Sequence, residues 1–208
     1  MTKKIIVPTD FSENAFVAAK YACQLALNKE YSLYLFHCYN SETTLFDEKI
    51  NEKEAITPLM RGDLLMAEWK DQLLHEFPQV TIETACITGL ITEVLPKMAK
   101  EPTYSLIIMG SNGLSKKDSP LFGSTTSQIA TKSRIPVIAI PYNIVNYQTH
   151  KAALLTNFKE DELESLKDFN TLIGSIAELD IIHVYQNSDD VAAVELQIEN
   201  WSAKIQAL

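Results

Sequence analysis

Between residues 109 and 126 the chain reads Met109-Gly110-Ser111-Asn112-Gly113, nine further residues, then Gly123-Ser124-Thr125-Thr126. Glycines without a Cβ let backbone amides come close to an anion, and Ser and Thr at the start of a helix add N–H and O–H donors. The chemistry this spacing suits is phosphate binding, although the same residues also serve an ordinary turn followed by a helix cap. Local charge fits a phosphate: Lys116, Lys117, Lys132 and Arg134 stand against one acid, Asp118, between Gly110 and Arg134. Two better-known phosphate loops fail. No Gly, four residues, Gly-Lys-Ser/Thr run exists, and the first strand is followed by Pro8-Thr9-Asp10-Phe11 where a dinucleotide fingerprint needs GxGxxG.

Other reactive side chains form no recognisable constellation. His37, His75, His150 and His183 are far apart and lack HExxH or Cys-His spacing. His37 and His183 recur at matching strand ends, where a packed, hydrogen-bonded imidazole is expected. No serine sits in a GxSxG elbow. Cys23, Cys38 and Cys86, an odd number without CxxC spacing, read as reduced and mostly buried thiols. Trp69 and Trp201 each fall in an apolar helical stripe and read as packing residues.

The elements that must position the glycine loop alternate between strand and helix. Residues 4–9 form a first strand ending at Asp10, and Ser12 caps a helix over 13–28 with a stripe of Phe16, Ala19, Cys23 and Ala26 or Leu27. A strand follows over 32–38, then an acidic stretch over 40–54. A helix over 58–77 carries Met60, Leu64, Trp69 and Leu73, and Pro78 stops it. Strands over 80–87, 104–109 and 136–141 alternate with helices over 90–100 and 124–133, with Pro96 expected to kink the first of these. The uninterrupted apolar run of 104–109 is that of a strand covered on both faces. Five strands separated by helices predict an α/β, doubly wound, five-stranded parallel sheet.

Past a polar linker over 143–150 the pattern begins again. Ile5-Ile6-Val7-Pro8-Thr9-Asp10-Phe11 aligns with Ala152-Ala153-Leu154-Leu155-Thr156-Asn157-Phe158, and His37-Cys38-Tyr39 with His183-Val184-Tyr185. The second copy, 151–208, has a strand, a helix with Leu163, Leu166, Phe169 and Ile173 on one side, a strand over 180–185, and a helix bearing Val191, Val194, Ile198, Trp201 and Ile205. It lacks strands three to five and the glycine loop. It is expected to pack on the first copy, to pair with another chain, or to be the remnant of a longer protein.

Composition narrows the function. The 208 residues carry 18 Lys plus Arg against 27 Asp plus Glu, net −9, with 46% apolar and 22% charged residues. This is a globular composition, too acidic overall for a general nucleic-acid binder. Residues 1–150 hold 14 basic and 16 acidic side chains, net −2, while 151–208 hold 4 and 11, net −7. Only three apolar residues separate Lys4 from Pro8, far short of a signal-peptide core, and no run approaches the roughly 20 apolar residues of a membrane helix. A cytoplasmic location and no membrane partner are expected.

With these residues in view, the chain resembles the universal stress protein (UspA-like) family. The resemblance rests on the G-x2-G-x9-G-S/T signature, met by Gly110, Gly113, Gly123 and Ser124, on the opening Ile-Val-Pro-Thr-Asp-Phe-Ser, and on Ile135-Pro136-Val137 at the last strand. It covers 1–142 well and 151–208 weakly, as in a tandem-type chain with an incomplete second repeat. The resemblance implies a Rossmann-like sheet of the adenine nucleotide alpha hydrolase type. It also implies ATP or AMP held between the first strand and the glycine loop.

Carried over by position, it puts Pro8, Thr9 and Asp10 beside the adenosine and Cys38 backbone at the adenine edge. Met109, Gly110, Asn112 and Gly113 lie along the ribose and phosphates, and Gly123, Ser124, Thr125 and Thr126 donate to phosphate oxygens. Asp10 either orients water or magnesium there or caps the following helix. Asn112 stands where many nucleotide-binding members have His, and Asn157 replaces Asp in the second copy, so at most one nucleotide site per chain is expected. The resemblance further implies edge-strand pairing, between repeats or in a homodimer. The alternatives are a nucleotide-linked stress protein with no catalytic residues, a non-nucleotide-binding interaction module of the same fold, and a slow ATPase.

Overall fold

The computed structural model describes residues 3–39, 57–112, 123–144, 150–174, 176–186 and 191–206. The acidic stretch over 40–54 lies outside them. The chain divides into two compact units, Met1–Tyr147 and Gln148–Leu208.

The first unit runs β1 (Lys4–Thr9), α1 (Glu13–Lys29), β2 (Ser32–Tyr39), α2 (Pro58–Glu76), β3 (Ile82–Thr88), α3 (Ile91–Met98), β4 (Tyr104–Gly110), α4 (Ser124–Lys132) and β5 (Val137–Ile140). The strands form one sheet in the order β3-β2-β1-β4-β5, every pair parallel. The order reverses between β1 and β4, and a sheet of this kind opens its ligand crevice at the carboxyl ends of those two strands. Pairing carries Lys4↔Ser32 through Thr9↔His37 on one side of β1 and Ile5↔Leu106 and Ile6↔Ile107 on the other.

Apolar runs explain the central strands. Leu106, Ile107 and Ile108 are fully buried, as are Ile5, Ile6, Val7, Leu33, Leu35 and Phe36. Both faces of β1, β2 and β4 are therefore covered. One face packs Ile6, Phe36, Ile107 and Met109 against Leu95 and Ala99 of the α3 end and Ile129 of α4. Each fully buried large side chain contributes about 1.5–3 kcal/mol relative to exposure.

Helix ends follow their caps. Ser12 accepts from the Ala15 amide at 3.2 Å, and Thr57 from the Met60 amide at 3.2 Å. Two helix faces differ from the sequence expectation. In α1 the buried residues are Asn14, Ala15, Ala18, Ala19, Ala22, Cys23, Leu25 and Ala26; Phe16 is half-buried and Leu27 exposed. Alanines dominate because the helix lies close on the sheet. In α2 the buried face holds Met66, Trp69 and Leu73, while Met60 and Leu64 are exposed. At 100° per residue, 62, 66, 69 and 73 share one side and 60 and 64 take the other. Gly62 turns that side inward, because a Cβ there would stand 3.0 Å from Cys86 Sγ and 3.5 Å from His37 Cδ2. Pro96 lies inside α3, two residues before its end.

The second unit runs β6 (Lys151–Leu155), α5 (Glu160–Ile173), β7 (Glu178–Ile182) and α6 (Val191–Gln206), with β6 and β7 parallel. Leu163, Leu166, Leu172, Ile173 and Trp201 are buried, while Leu155 and Val184 are exposed. The β7 strand ends at Ile182 instead of continuing to 185. In the first unit Cys38 and Tyr39 are held in β2 by pairing with Ile87 and Thr88 of β3. Among the described residues β7 pairs only with β6, so its ladder stops where β6 stops. No helix among the described residues is long and apolar enough to cross a membrane.

Candidate functional site

The loop after β1 is shaped by its own side chains. The Phe11 amide donates to Thr9 Oγ1 at 2.9 Å and the Ser12 amide to Asp10 Oδ1 at 3.0 Å. Phe11 takes φ +60°, a left-handed conformation that costs a non-glycine residue energy and bends the chain sharply off the strand. Asp10 thus forms an Asx turn one step before the Ser12 cap. It is half-buried, whereas Pro8 and Thr9 are buried. His37 Nδ1 donates to the Thr9 carbonyl at 2.8 Å; since that oxygen only accepts, the proton sits on Nδ1.

The glycine loop leaves the neighbouring strand. The Ser111 amide donates to the Ile140 carbonyl at 2.9 Å and the Gly123 amide to the Ser111 carbonyl at 2.8 Å, so the two ends of the loop are tied together. A Cβ on Gly110 would stand 2.7 Å from Asn14 Oδ1, and one on Gly123 would stand 3.3 Å from the Ser111 carbonyl oxygen. The glycines at these two places are there for close approach rather than for a positive φ. Gly123 caps α4 without a side-chain hydrogen bond, and Ser124 and Thr125 at its first turn are exposed. Such an N-terminus presents backbone donors and the positive end of the helix dipole.

Thr126 and Met109 differ from the roles inferred for them. Thr126 is buried and its hydroxyl donates to the Gly110 and Ser111 carbonyls at 3.1 and 3.3 Å, so the hydroxyl fastens the loop and is not the group that donates to a phosphate. Met109 is 6% exposed and packs in the core, leaving only its backbone at the loop. Cys38 sits one residue beyond the last β1–β2 pair, Thr9↔His37, with its side chain against the core. Burial pushes its thiol up to about 11, and those of Cys23 and Cys86 to about 12. For Cys86 that value already includes, after burial, the hydrogen bond to Asp63 and its charge. Gly113, Lys116, Lys117 and Asp118 lie outside the described residues.

Topology therefore brings Thr9, Asp10, Gly110, Asn112 and Gly123 to the ends of two adjacent strands. Asn14 was missed by sequence reasoning, although it is buried in the first turn of α1 and hydrogen-bonds the glycine loop. The one available signal was a polar residue on an otherwise alanine-rich face.

The second unit repeats the geometry of the β1 loop. The Phe158 amide donates to Thr156 Oγ1 at 2.8 Å, Phe158 has φ +60°, and His183 Nδ1 meets the Thr156 carbonyl at 2.7 Å. Ring pairs recur too: Phe11–His37 and Phe158–His183 both at 4.5 Å between centroids, Phe11–Trp69 at 5.5 Å and Phe158–Trp201 at 5.8 Å. Trp69 and Trp201 are thus matching partners, which their positions in unlike helical stripes did not reveal. One difference concerns charge. In the second unit Glu162 accepts from the Thr156 hydroxyl and from the amides of Asn157 and Lys159, a carboxylate occupying the turn's donors. The Thr156 hydroxyl, chiefly, holds the Glu162 carboxyl below the usual carboxylate range.

A sequence model of the universal stress protein family matches residues 1–141. Universal stress protein MJ0577 of Methanocaldococcus jannaschii is 26% identical over 161 residues, 67% of this chain and 95% of that protein. Universal stress protein MJ0531 of the same organism is 27% identical over 140 residues, 66% and 81% respectively. Among solved structures, a universal stress protein from Archaeoglobus fulgidus DSM 4304 has the same fold at TM-score 0.61 and 24% identity, over 97% of this chain and 72% of that one.

Proposed function

This chain belongs to the universal stress protein family, and from that premise we propose that its first unit binds an adenine nucleotide, ATP or AMP, and acts in stress response through ligand-linked interaction. The single observation that carries the reading is the paired β1 and β4 loops: Asp10 in its Asx turn beside a glycine turn that runs into an α4 N-terminus with no side-chain cap. Anions are favoured where unsatisfied helix amides and a dipole converge. In this reading Pro8, Thr9 and Asp10 flank the adenosine, and Cys38 offers backbone to the base. Gly110, Asn112 and Gly113 support the ribose and phosphates, and Gly123, Ser124 and Thr125 donate to phosphate oxygens. Asp10 would be the residue to hold a magnesium ion, which would supply charge neutralisation to the phosphates. No side chain is assigned to bond breaking, and any ATP hydrolysis is slow.

The second unit is proposed as a partial repeat that serves interaction rather than ligand binding, because Glu162 already takes its turn donors. The chain is read as cytoplasmic and as a homodimer or repeat-paired assembly through the four-residue edge strand β5. A competing reading, an interaction module with no nucleotide, is favoured by Thr126, whose hydroxyl is committed to the loop itself.

Native mass spectrometry of the purified chain, followed by ATP titration with magnesium, separates the two. One adenine nucleotide per chain, lost in Gly123→Val with the fold intact, supports the nucleotide reading. An empty wild-type chain that refuses ATP and AMP supports the interaction module.

A further inference from the structure

We infer that Asn14 is a positioning residue of the candidate nucleotide site, locking the Gly110–Asn112 turn to α1 and to the end of β5 so that the turn is held ready for its ligand. The inference rests on the nucleotide reading for its consequence on affinity, and on the contacts of Asn14 for the lock itself.

Asn14 is 7% exposed, one of the few polar side chains in the core of the first unit. Its Oδ1 accepts from the Asn112 amide at 3.0 Å, and its Nδ2 donates to the Ile140 carbonyl at 2.9 Å. The orientation of this amide is determined by its partners, because a backbone N–H can only donate and a carbonyl can only accept. The same Ile140 oxygen takes the Ser111 amide, using both of its lone pairs. One side chain thus ties α1 to two segments that lie 98 and 126 residues away from it along the chain. Asn14 also occupies the place that a Cβ on residue 110 would need. The glycine and the asparagine are two halves of one contact.

The second copy supplies a comparison within the chain. Counting from Thr9 and Thr156, Asn14 corresponds to Asp161, which is exposed. Aspartate can accept but has no N–H to give a carbonyl, so it could not make both bonds. The asparagine of the first unit is thus replaced at the matching place of the second by a residue that cannot make this pair of bonds.

The experiment uses the full ligand-free chain as wild type, Asn14→Ala and Leu25→Ala, the last a buried α1 residue as a control for stability loss alone. Amide hydrogen exchange at Asn112 is read against Ile6 and Val7, and ATP affinity is measured by calorimetry. Asn14→Ala is expected to speed exchange at Asn112 by about tenfold or more relative to Ile6 and Val7, and to weaken ATP by about tenfold, the scale of one to two lost hydrogen bonds. Leu25→Ala is expected to lower thermal stability while leaving both the relative exchange and the ATP affinity as in wild type. Should Asn14→Ala fail to fold, Asn14→Ser, too short to reach both partners, carries the same two expectations. Unchanged exchange at Asn112, or faster exchange with wild-type ATP affinity, overturns the inference. If the wild type binds no ATP, the nucleotide reading falls and the affinity consequence with it, while the exchange data still decide whether Asn14 holds the turn.

Discussion

Replacing Gly110 by alanine adds one methyl group at the point where β4 turns into the glycine loop. Its Cβ would lie 2.7 Å from Asn14 Oδ1, 2.9 Å from Cγ and 3.2 Å from the backbone carbonyl carbon of Asn14. Comfortable separations are about 3.5–4.0 Å between carbons, so Asn14 must move by several tenths of an ångström. It is not a free side-chain end: the movement strains bonds of 3.0 Å to the Asn112 amide and 2.9 Å to the Ile140 carbonyl. Losing both costs about 2 kcal/mol at about 1 kcal/mol net each, and the lower entropy of the unfolded alanine chain returns about 0.4–1 kcal/mol. Gly110 is not among the residues with positive φ, so no backbone penalty is added. The expected net loss is about 1–2 kcal/mol, a fall of about 3–6 °C in the Tm of the first unit by calorimetry. In an Asn14→Ala background the methyl group finds space, so the second substitution should cost almost nothing. That non-additivity of about 1–2 kcal/mol is the signature of direct contact. A Gly110→Ala protein with wild-type Tm, or costs that simply add in the double variant, would refute the reasoning.

Three further outcomes are expected. Trp201→Ala empties the position that Phe158 packs against and should cost about 3–5 kcal/mol, melting the second unit while the first unit's transition stays in place; a single unchanged transition would contradict two separately cored units. The Glu162 carboxyl, held low by Thr156 and the Asn157 and Lys159 amides, contributes stability that is present above the ordinary carboxylate pKa and lost as pH falls through its lowered value. The Tm of wild type and of Glu162→Gln should therefore differ at pH 7 and converge toward pH 3, whereas a constant gap would exclude the ionised contact. Cys38 at about 11 and Cys23 and Cys86 at about 12 should react with iodoacetamide at pH 8 at least about 100-fold more slowly than in the urea-unfolded chain. Mass-spectrometric labelling at comparable rates would show the thiols to be less buried than described.

Much of the fold is legible in the sequence because its signals are local. A run such as Leu106-Ile107-Ile108 and the Ser12 cap before an alanine-rich helix depend on a few neighbouring residues, and their order along the chain constrains a parallel sheet. Helix orientation was less legible. The α2 segment has apolar residues on two sides, and which side faced inward depended on Gly62 meeting Cys86 and His37, residues from two other strands. The end of β7 was misplaced for a related reason, since the strand stops where its neighbour stops and its apolar residues run on regardless.

The candidate site divides along the same line. The sequence by itself determined the glycine spacing, the Thr9-Asp10-Phe11 run with its copy at Thr156-Asn157-Phe158, the alternation of strand and helix, and membership of the universal stress protein family. Each of these is a matter of residue type and short-range spacing. Only the tertiary structure decided that the Thr126 hydroxyl bonds the Gly110 and Ser111 carbonyls, that Met109 packs in the core, and that Trp69 and Trp201 are equivalent. It alone placed Asn14 where it bonds Asn112 and Ile140. Those assignments depend on groups about 15 to 126 residues apart meeting within 3 to 6 Å, and no local pattern specifies which of many distant donors and rings a folded chain will bring together.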